Sequence, residues 1–123
     1  MNNTEIIKTF IEAEKEFGLV PLINKAFGKN VKVNLVFSKK VCEESIDELM
    51  LSVRSSNALK RAGILTIGEV IDTIDAGALN SLRNLGTKSR NEIQTKILVF
   101  GYDDLTEKEK AEFFEKLVED NKY

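Results

Sequence analysis

A series of short helical segments, separated by glycines, most restricts what this sequence can fold into. A hydroxyl residue is placed to cap the first turn of nearly every segment, and these are Ser52, Thr66 with Glu69, Thr73, and Thr106 with Glu109. The predicted helices cover about 52–62, ended by Gly63, a brief turn after Thr66, about 74–81, and Thr87–Phe100, closed by Gly101. The pattern predicts a mainly α protein.

Residues 1–44 predict a small α/β segment of two helices and one strand. Asn2 and Glu5 form a capping pair for the first helix, Gly18 ends it, and Pro21 and Gly28 bracket the second. Apolar and polar residues then alternate as in a strand, whose apolar face holds Val31, Val33, Leu35 and Phe37. Because a single strand is not stable alone, we expect a partner strand or a docking surface.

Changes in composition divide the protein into three segments: the α/β segment 1–44, the short helices 45–102, and an acidic C-terminal helix 103–123. The net charge of −2 arises from 18 basic and 20 acidic side chains. Residues 102–123 alone hold eight acidic and four basic side chains, so the acidic excess lies there. The middle segment is nearly neutral and has room for a local basic face.

Histidine is absent, and Cys42 is the one cysteine. Without imidazole, Ser/His and Cys/His nucleophile pairs and most catalytic zinc sites are excluded. One cysteine allows no internal disulfide and is typical of a reducing compartment, and no apolar run approaches the ~20 residues of a membrane span. We therefore expect a cytoplasmic, non-catalytic binding module that requires no membrane, cofactor or metal.

The segment LRNLGTKSRNEI, residues 82–93, contains the first candidate site. Gly86 permits a tight turn, and the helix that follows begins with Thr87, Lys88 and Ser89. Free backbone N–H groups beside a lysine and two hydroxyls suit one phosphate, as in a helix-hairpin-helix that grips a nucleic-acid backbone. The alternative is that Gly86 only ends a turn and the hydroxyls only cap. The segment lacks the upstream glycine of a nucleotide-binding P-loop.

Arg54 is the second candidate, because it lies in the first turn of the predicted helix, where the helix dipole disfavours a cation. An arginine beside serines and an asparagine suits an anionic partner such as a narrow minor groove. The alternative is a solvated arginine paired with Asp47 or Glu48.

Two blocks in register, SIDELMLSVRSSNALKRAGILTIGEVI and LRNLGTKSRNEI, carry a resemblance to a known family. From Ile46 to about Tyr102 the protein resembles the C-terminal domain of the bacterial RNA polymerase alpha subunit. The resemblance implies a compact bundle of short helices with a helix-hairpin-helix-like core. It also implies binding to the minor groove of AT-rich DNA upstream of promoters, and contacts with activators and the sigma factor.

The resemblance assigns roles to individual residues. The family's arginine that enters the minor groove falls on Arg54, and its helix-mate asparagine falls on Asn57. The glycine, lysine and serine that hold the phosphate backbone fall on Gly86, Lys88 and Ser89. The acidic residue one turn later in the same site falls on Glu92. Thr87 stands where many members carry a second basic residue, and Arg90 is placed to restore part of that charge.

Further positions depart from the family's pattern, and one of them weakens the expected contact with the sigma factor. Ala58 replaces a frequent cysteine, and Met50 replaces the acidic residue used toward sigma. Residues 1–45 do not resemble the family's large N-terminal domain, so we do not expect a complete alpha subunit. The weaker basic patch and the acidic tail support the alternative of a protein-interaction module, which would contact a transcription regulator, sigma factor or RNA polymerase without binding DNA.

Overall fold

The computed structural model of the 123-residue protein describes residues 3–28, 31–33 and 35–121. Within these ranges the α-helices are α1 (Asn3–Phe17), α2 (Leu19–Phe27), α3 (Lys39–Glu43), α4 (Val53–Arg61), α5 (Ile67–Asp75), α6 (Thr87–Asp103) and α7 (Glu107–Asp120). Short 3₁₀ helices cover Ile46–Leu49 and Leu79–Ser81. The prediction of a mainly α protein is confirmed.

The protein divides into two compact units. Met1–Val36 and Tyr102–Tyr123 form one, here called the terminal unit, and Phe37–Gly101 forms the other, here called the central unit. Among the residues described, no helix is both long and apolar enough to cross a bilayer.

The strand predicted over residues 31–37 is wrong, although Asn34 lies outside the described residues. The alternation is real, since Val31, Val33 and Leu35 are half-buried while Lys32 is exposed. The side-chain amide of Asn121 takes the place of a partner strand: Lys32 N donates to Asn121 Oδ1 at 2.7 Å, and Asn121 Nδ2 donates to Lys32 O at 2.8 Å. Lys32 is therefore held by a side chain, without a strand over residues 31–33.

Most of the predicted helix starts are confirmed. Ser52 caps α4, and the capping boxes of Thr66 with Glu69 and Thr106 with Glu109 open α5 and α7. The predicted first capping residue, Asn2, lies outside the described residues.

Three predicted boundaries are wrong, and the first is the start of α2, which lies at Leu19 rather than at Pro21. Thr73 does not start a helix near 74–81, because it lies inside α5 and its Oγ1 donates to the carbonyl of Glu69 at 2.7 Å. This is the back-bond to residue i−4 that a threonine makes within a helix. Gly101 does not close α6, which continues to Asp103, because its φ is not positive as a glycine helix stop requires.

Aromatic side chains form the core of the terminal unit. Phe10 of α1 lies 5.7 Å from Phe114 of α7 between ring centroids, and Tyr102 lies 5.5 Å from Phe113. Tyr102 and Phe114 are fully buried. Offset and edge-on ring pairs of this kind add to the stabilisation that apolar burial provides.

Aliphatic side chains from every helix fill the core of the central unit, with Leu59, Ile67, Val70 and Ile93 fully buried. An antiparallel bridge joins Ser45 to Thr66, and Ile67 N donates to the carbonyl of Glu44 at 2.9 Å. The shared core holds α4, α5 and α6 in fixed positions relative to one another.

Glu92 of α6 bonds to the N-terminus of α4. Its Oε2 accepts from Ser52 N at 2.9 Å, and its Oε1 accepts from Ser52 Oγ at 2.8 Å and from Ser55 Oγ. The bond from Ser55, followed by those from Ser52, lowers the pKa of Glu92 from its ordinary value of 4.5. The carboxylate supplies negative charge to the end of α4, whose own first turn has no acidic residue.

We expect Glu92→Gln to destabilise the protein by about 1–2 kcal/mol at neutral pH, because the amide nitrogen turns a donor toward groups that themselves donate. The pKa is lowered in the folded state, so the ionised carboxylate contributes stability above pH 4.5 that is lost as the pH falls further. Urea unfolding from neutral to acidic pH should show the two proteins converging at low pH. The exposed Glu48→Gln is the control, and a constant difference at every pH would contradict the expectation.

Candidate nucleic-acid interface

Arg54 is the second residue of α4, and its side chain is exposed. The predicted alternative partner Asp47 binds Lys60 instead, with 3.1 Å between Nζ and Oδ1. Within the described ranges, Arg54 makes no ion pair. The carboxylate of Glu92, which belongs to α6 but bonds to the start of α4, explains how α4 tolerates a cation in its first turn.

The first turn of α6 presents free amides. Arg90 N donates to the carbonyl of Gly86 at 3.0 Å, which is the first bond of the helix. The N–H groups of Thr87, Lys88 and Ser89 precede that bond, and they have no acceptor in the described part of the protein. They therefore form a partial positive charge at the end of a seventeen-residue helix.

Gly86 is not needed for the turn that precedes α6. Asn84, with φ of 65°, takes the left-handed conformation, whereas the φ of Gly86 is not positive. A Cβ built on Gly86 would meet nothing within 4 Å. Neither backbone conformation nor internal packing therefore requires glycine here, and the missing side chain leaves the backbone open to an approaching group.

Arg90 brings charge to the same end of α6. Its Nη2 donates to Thr87 Oγ1 at 3.1 Å, and its Nη1 donates to the carbonyl of Leu85 at 3.4 Å. These bonds fold the guanidinium back over the helix start, while Thr87 and Lys88 remain exposed. Arg90 thus brings a positive charge next to Thr87, the position where a basic residue is missing.

Two surface hollows bring the sequence-predicted site residues together. One is lined by Ser52, Arg54, Lys88, Ser89 and Glu92. The other, of about 670 Å³, is lined by Arg54, Asn57, Arg61, Asn84 and Gly86, together with the apolar Val53 and Ala58. Since Arg54 lines both, it lies on the same face as the tip of α6. Ser89 is only 8% exposed, and Glu92 is half-buried in its bonds to α4.

Sequence reasoning missed three residues on this face. Arg61 and Asn84 line the second hollow, and both also line a third hollow together with Arg83. Helical spacing gives the signal for Arg61, which follows Arg54 by seven residues and so lies on the same side of α4. Arg83 and Asn84 belong to an irregular turn, for which periodicity gives no signal.

Chemically, this face suits a polyanion better than a small molecule. It offers exposed guanidinium and ammonium groups, free amides at a helix start, and open hollows. Helix amides with a neighbouring lysine hold a phosphate oxygen, and an exposed arginine can enter a groove of negative potential.

Similar proteins occur in several bacteria. Over 62 residues the sequence is 52% identical to the DNA-directed RNA polymerase subunit alpha of Symbiobacterium thermophilum, a match of 50% of this protein and 19% of the relative. Over 93 residues it is 38% identical to the subunit alpha of Syntrophomonas wolfei, a match of 76% of this protein and 27% of the relative. The subunit alpha of Staphylococcus aureus is 51% identical over 59 residues, 48% of this protein and 18% of the relative.

The protein thus spans about a quarter or less of the length of these relatives. No solved structure matches it significantly. The family model for the C-terminal domain of the bacterial RNA polymerase alpha subunit matches residues 36–98, about half of the protein, and includes every residue of the candidate interface. The protein therefore belongs to the family of the C-terminal domain of the bacterial RNA polymerase alpha subunit.

Proposed function

We propose that the central unit is a non-catalytic DNA-binding module that acts in transcription. It binds AT-rich DNA near promoters, with Arg54 in the minor groove and the first turn of α6 on a backbone phosphate. The observation that carries the proposal is the position of Arg54 on the same exposed face as Gly86 and Lys88. A preference for AT-rich sequences follows from groove width and potential, because the minor groove carries little base-specific information.

The remaining residues of the interface have supporting roles in this proposal. Lys88 and the free amides of α6 hold the phosphate, with Thr87 and Arg90 contributing nearby, and Asn57 lies one turn after Arg54 on α4. Ser89 contributes its backbone amide, since its side chain is buried. Glu92 acts indirectly: it holds Ser52 and Ser55 and thereby positions Arg54.

A second candidate function is a protein contact made by the same unit. Met50 is 81% exposed and Val53 is 77% exposed, although both are large apolar side chains. Met50 also has φ of 52°, a left-handed conformation that is unfavourable for methionine. Capture of RNA polymerase, sigma factor or a regulator from nuclease-treated lysate, with loss of capture in Met50→Ser, would support this function. Capture only before nuclease treatment would support DNA binding.

Arg54→Ala should lower affinity for an AT-rich duplex by on the order of 1–3 kcal/mol and reduce the preference for AT-rich over GC-rich DNA. The physical reason is the loss of a cation from the narrow groove. Fluorescence anisotropy with labelled duplexes measures both quantities. Lys40→Ala, which removes an exposed cation that lines none of the hollows, is the control. Equal binding by wild type and Arg54→Ala would reject the proposal.

Lys88→Ala should weaken binding to AT-rich and GC-rich duplexes alike, because a phosphate contact carries no sequence information. The slope of log affinity against log salt concentration should fall by about one. A titration of each duplex over a range of salt concentrations gives the slope, and an unchanged slope would mean that Lys88 does not contact a phosphate.

Gly86→Asp should weaken DNA binding without lowering the stability of the protein. Aspartate is a good N-cap and its charge favours the start of α6, so the melting temperature should stay equal or rise. The same charge should repel the phosphate and weaken DNA binding by roughly tenfold. Gly86→Ser, which caps without charge, is the matched control. If both variants bind DNA like wild type, Gly86 only caps the helix.

A further inference from the structure

We propose that the DNA-binding surface extends past the tip of α6 to Arg61 and Arg83, and that these two arginines contact a further pair of backbone phosphates. The inference rests on the proposed function and enlarges the area of DNA that the central unit covers. The three hollows share lining residues with one another.

The hollows form one continuous surface. Arg54 belongs both to the hollow that contains Lys88 and to the hollow that contains Arg61. Arg61 and Asn84 in turn belong both to that second hollow and to the third, which contains Arg83. A path along the surface therefore runs from Lys88 past Arg54 and Arg61 to Arg83.

The cations along this path have no internal partners. Arg54, Arg61, Arg83 and Lys88 are all exposed, and none forms an ion pair within the described residues. Lys60, next to Arg61, is bound to Asp47 with its Nζ 3.1 Å from Oδ1. Lys60 is thus paired within the protein, whereas the neighbouring Arg61 of α4 is exposed to solvent.

Carboxylates are scarce along the same path. The central unit contains eight aspartate and glutamate residues, and among the described residues only Glu92 lines any of the three hollows. Its oxygens accept bonds from Ser52 and Ser55. Like charges gathered on one surface repel one another, and an incoming row of phosphates removes that repulsion.

Local stability accounts for only one of the two arginines. Arg61 lies in the last turn of α4, where the helix dipole favours a cation. Arg83 lies in the turn between the second 3₁₀ helix and α6, where no helix end explains its charge. Its neighbour Asn84 lines one hollow with Arg83 and another with Gly86. Arg83 and the open backbone of Gly86 therefore lie along the same surface.

The test compares R61Q/R83Q with K39Q/K40Q, which removes the same charge from α3 of the same unit, outside the three hollows. Binding of the 123-residue protein to a short AT-rich duplex and to a GC-rich duplex is measured over a range of salt concentrations. For R61Q/R83Q we expect the salt slope to fall by about two, with an unchanged ratio of AT-rich to GC-rich affinity, because only phosphate contacts are lost. R61K/R83K keeps both positive charges and should keep the wild-type slope. This variant shows whether the lower slope of R61Q/R83Q results from lost charge rather than from altered folding.

A slope for R61Q/R83Q equal to that of K39Q/K40Q would overturn the inference and leave the proposed function intact. A fall in the AT preference together with the slope would also overturn it, because the arginines would then read the groove. Arg54→Ala, measured in parallel, reports on the proposed function separately. If Arg54→Ala binds like wild type, the proposed function fails, and the inference fails with it.

Discussion

The bonding of the Glu92 carboxylate to Ser52 and Ser55 is the interaction on which the arrangement of the candidate interface depends. It joins the start of α4 to the second turn of α6 and satisfies amide and hydroxyl donors at the end of α4. It also places an anion beside a helix whose first turn carries Arg54. One carboxylate thus allows a cation to project from an unfavourable helix position while the hydrophobic core beneath holds both helices in place.

Much of the candidate interface was predictable because its residues lie on helices with clear start signals. Ser52 and the spacing of α4 placed Arg54 and Asn57 at a helix start, and the residues after Gly86 predicted free amides at a second one. The structural roles of Gly86 and Glu92 could not be predicted from the sequence. The turn takes its left-handed residue from Asn84 rather than from Gly86, and Glu92 bonds to a helix forty residues earlier in the sequence. Contacts so distant in sequence leave no periodic signal.

The fold could be predicted to a similar degree. The wrong predictions of secondary structure share one physical cause. Alternation over residues 31–37 correctly indicates which side chains are covered, yet it contains no information on what satisfies the backbone, which here is the side chain of Asn121. Threonine often begins a helix and glycine often ends one. Both residue types also occur inside helices, as Thr73 does in α5 and Gly101 does in α6. Residue type sets a preference, and tertiary contacts decide the outcome.

The discontinuous sequence of the terminal unit has a consequence for synthesis on the ribosome. The central unit is continuous from Phe37 to Gly101, so all of its core residues exist once that stretch has emerged. Phe10 on α1, in contrast, must wait for Phe114 on α7 to be translated before their rings can pack. Because domains generally fold as units during translation, we expect the nascent polypeptide to acquire its candidate interface while the surface of α1 that packs on α7 is still uncovered.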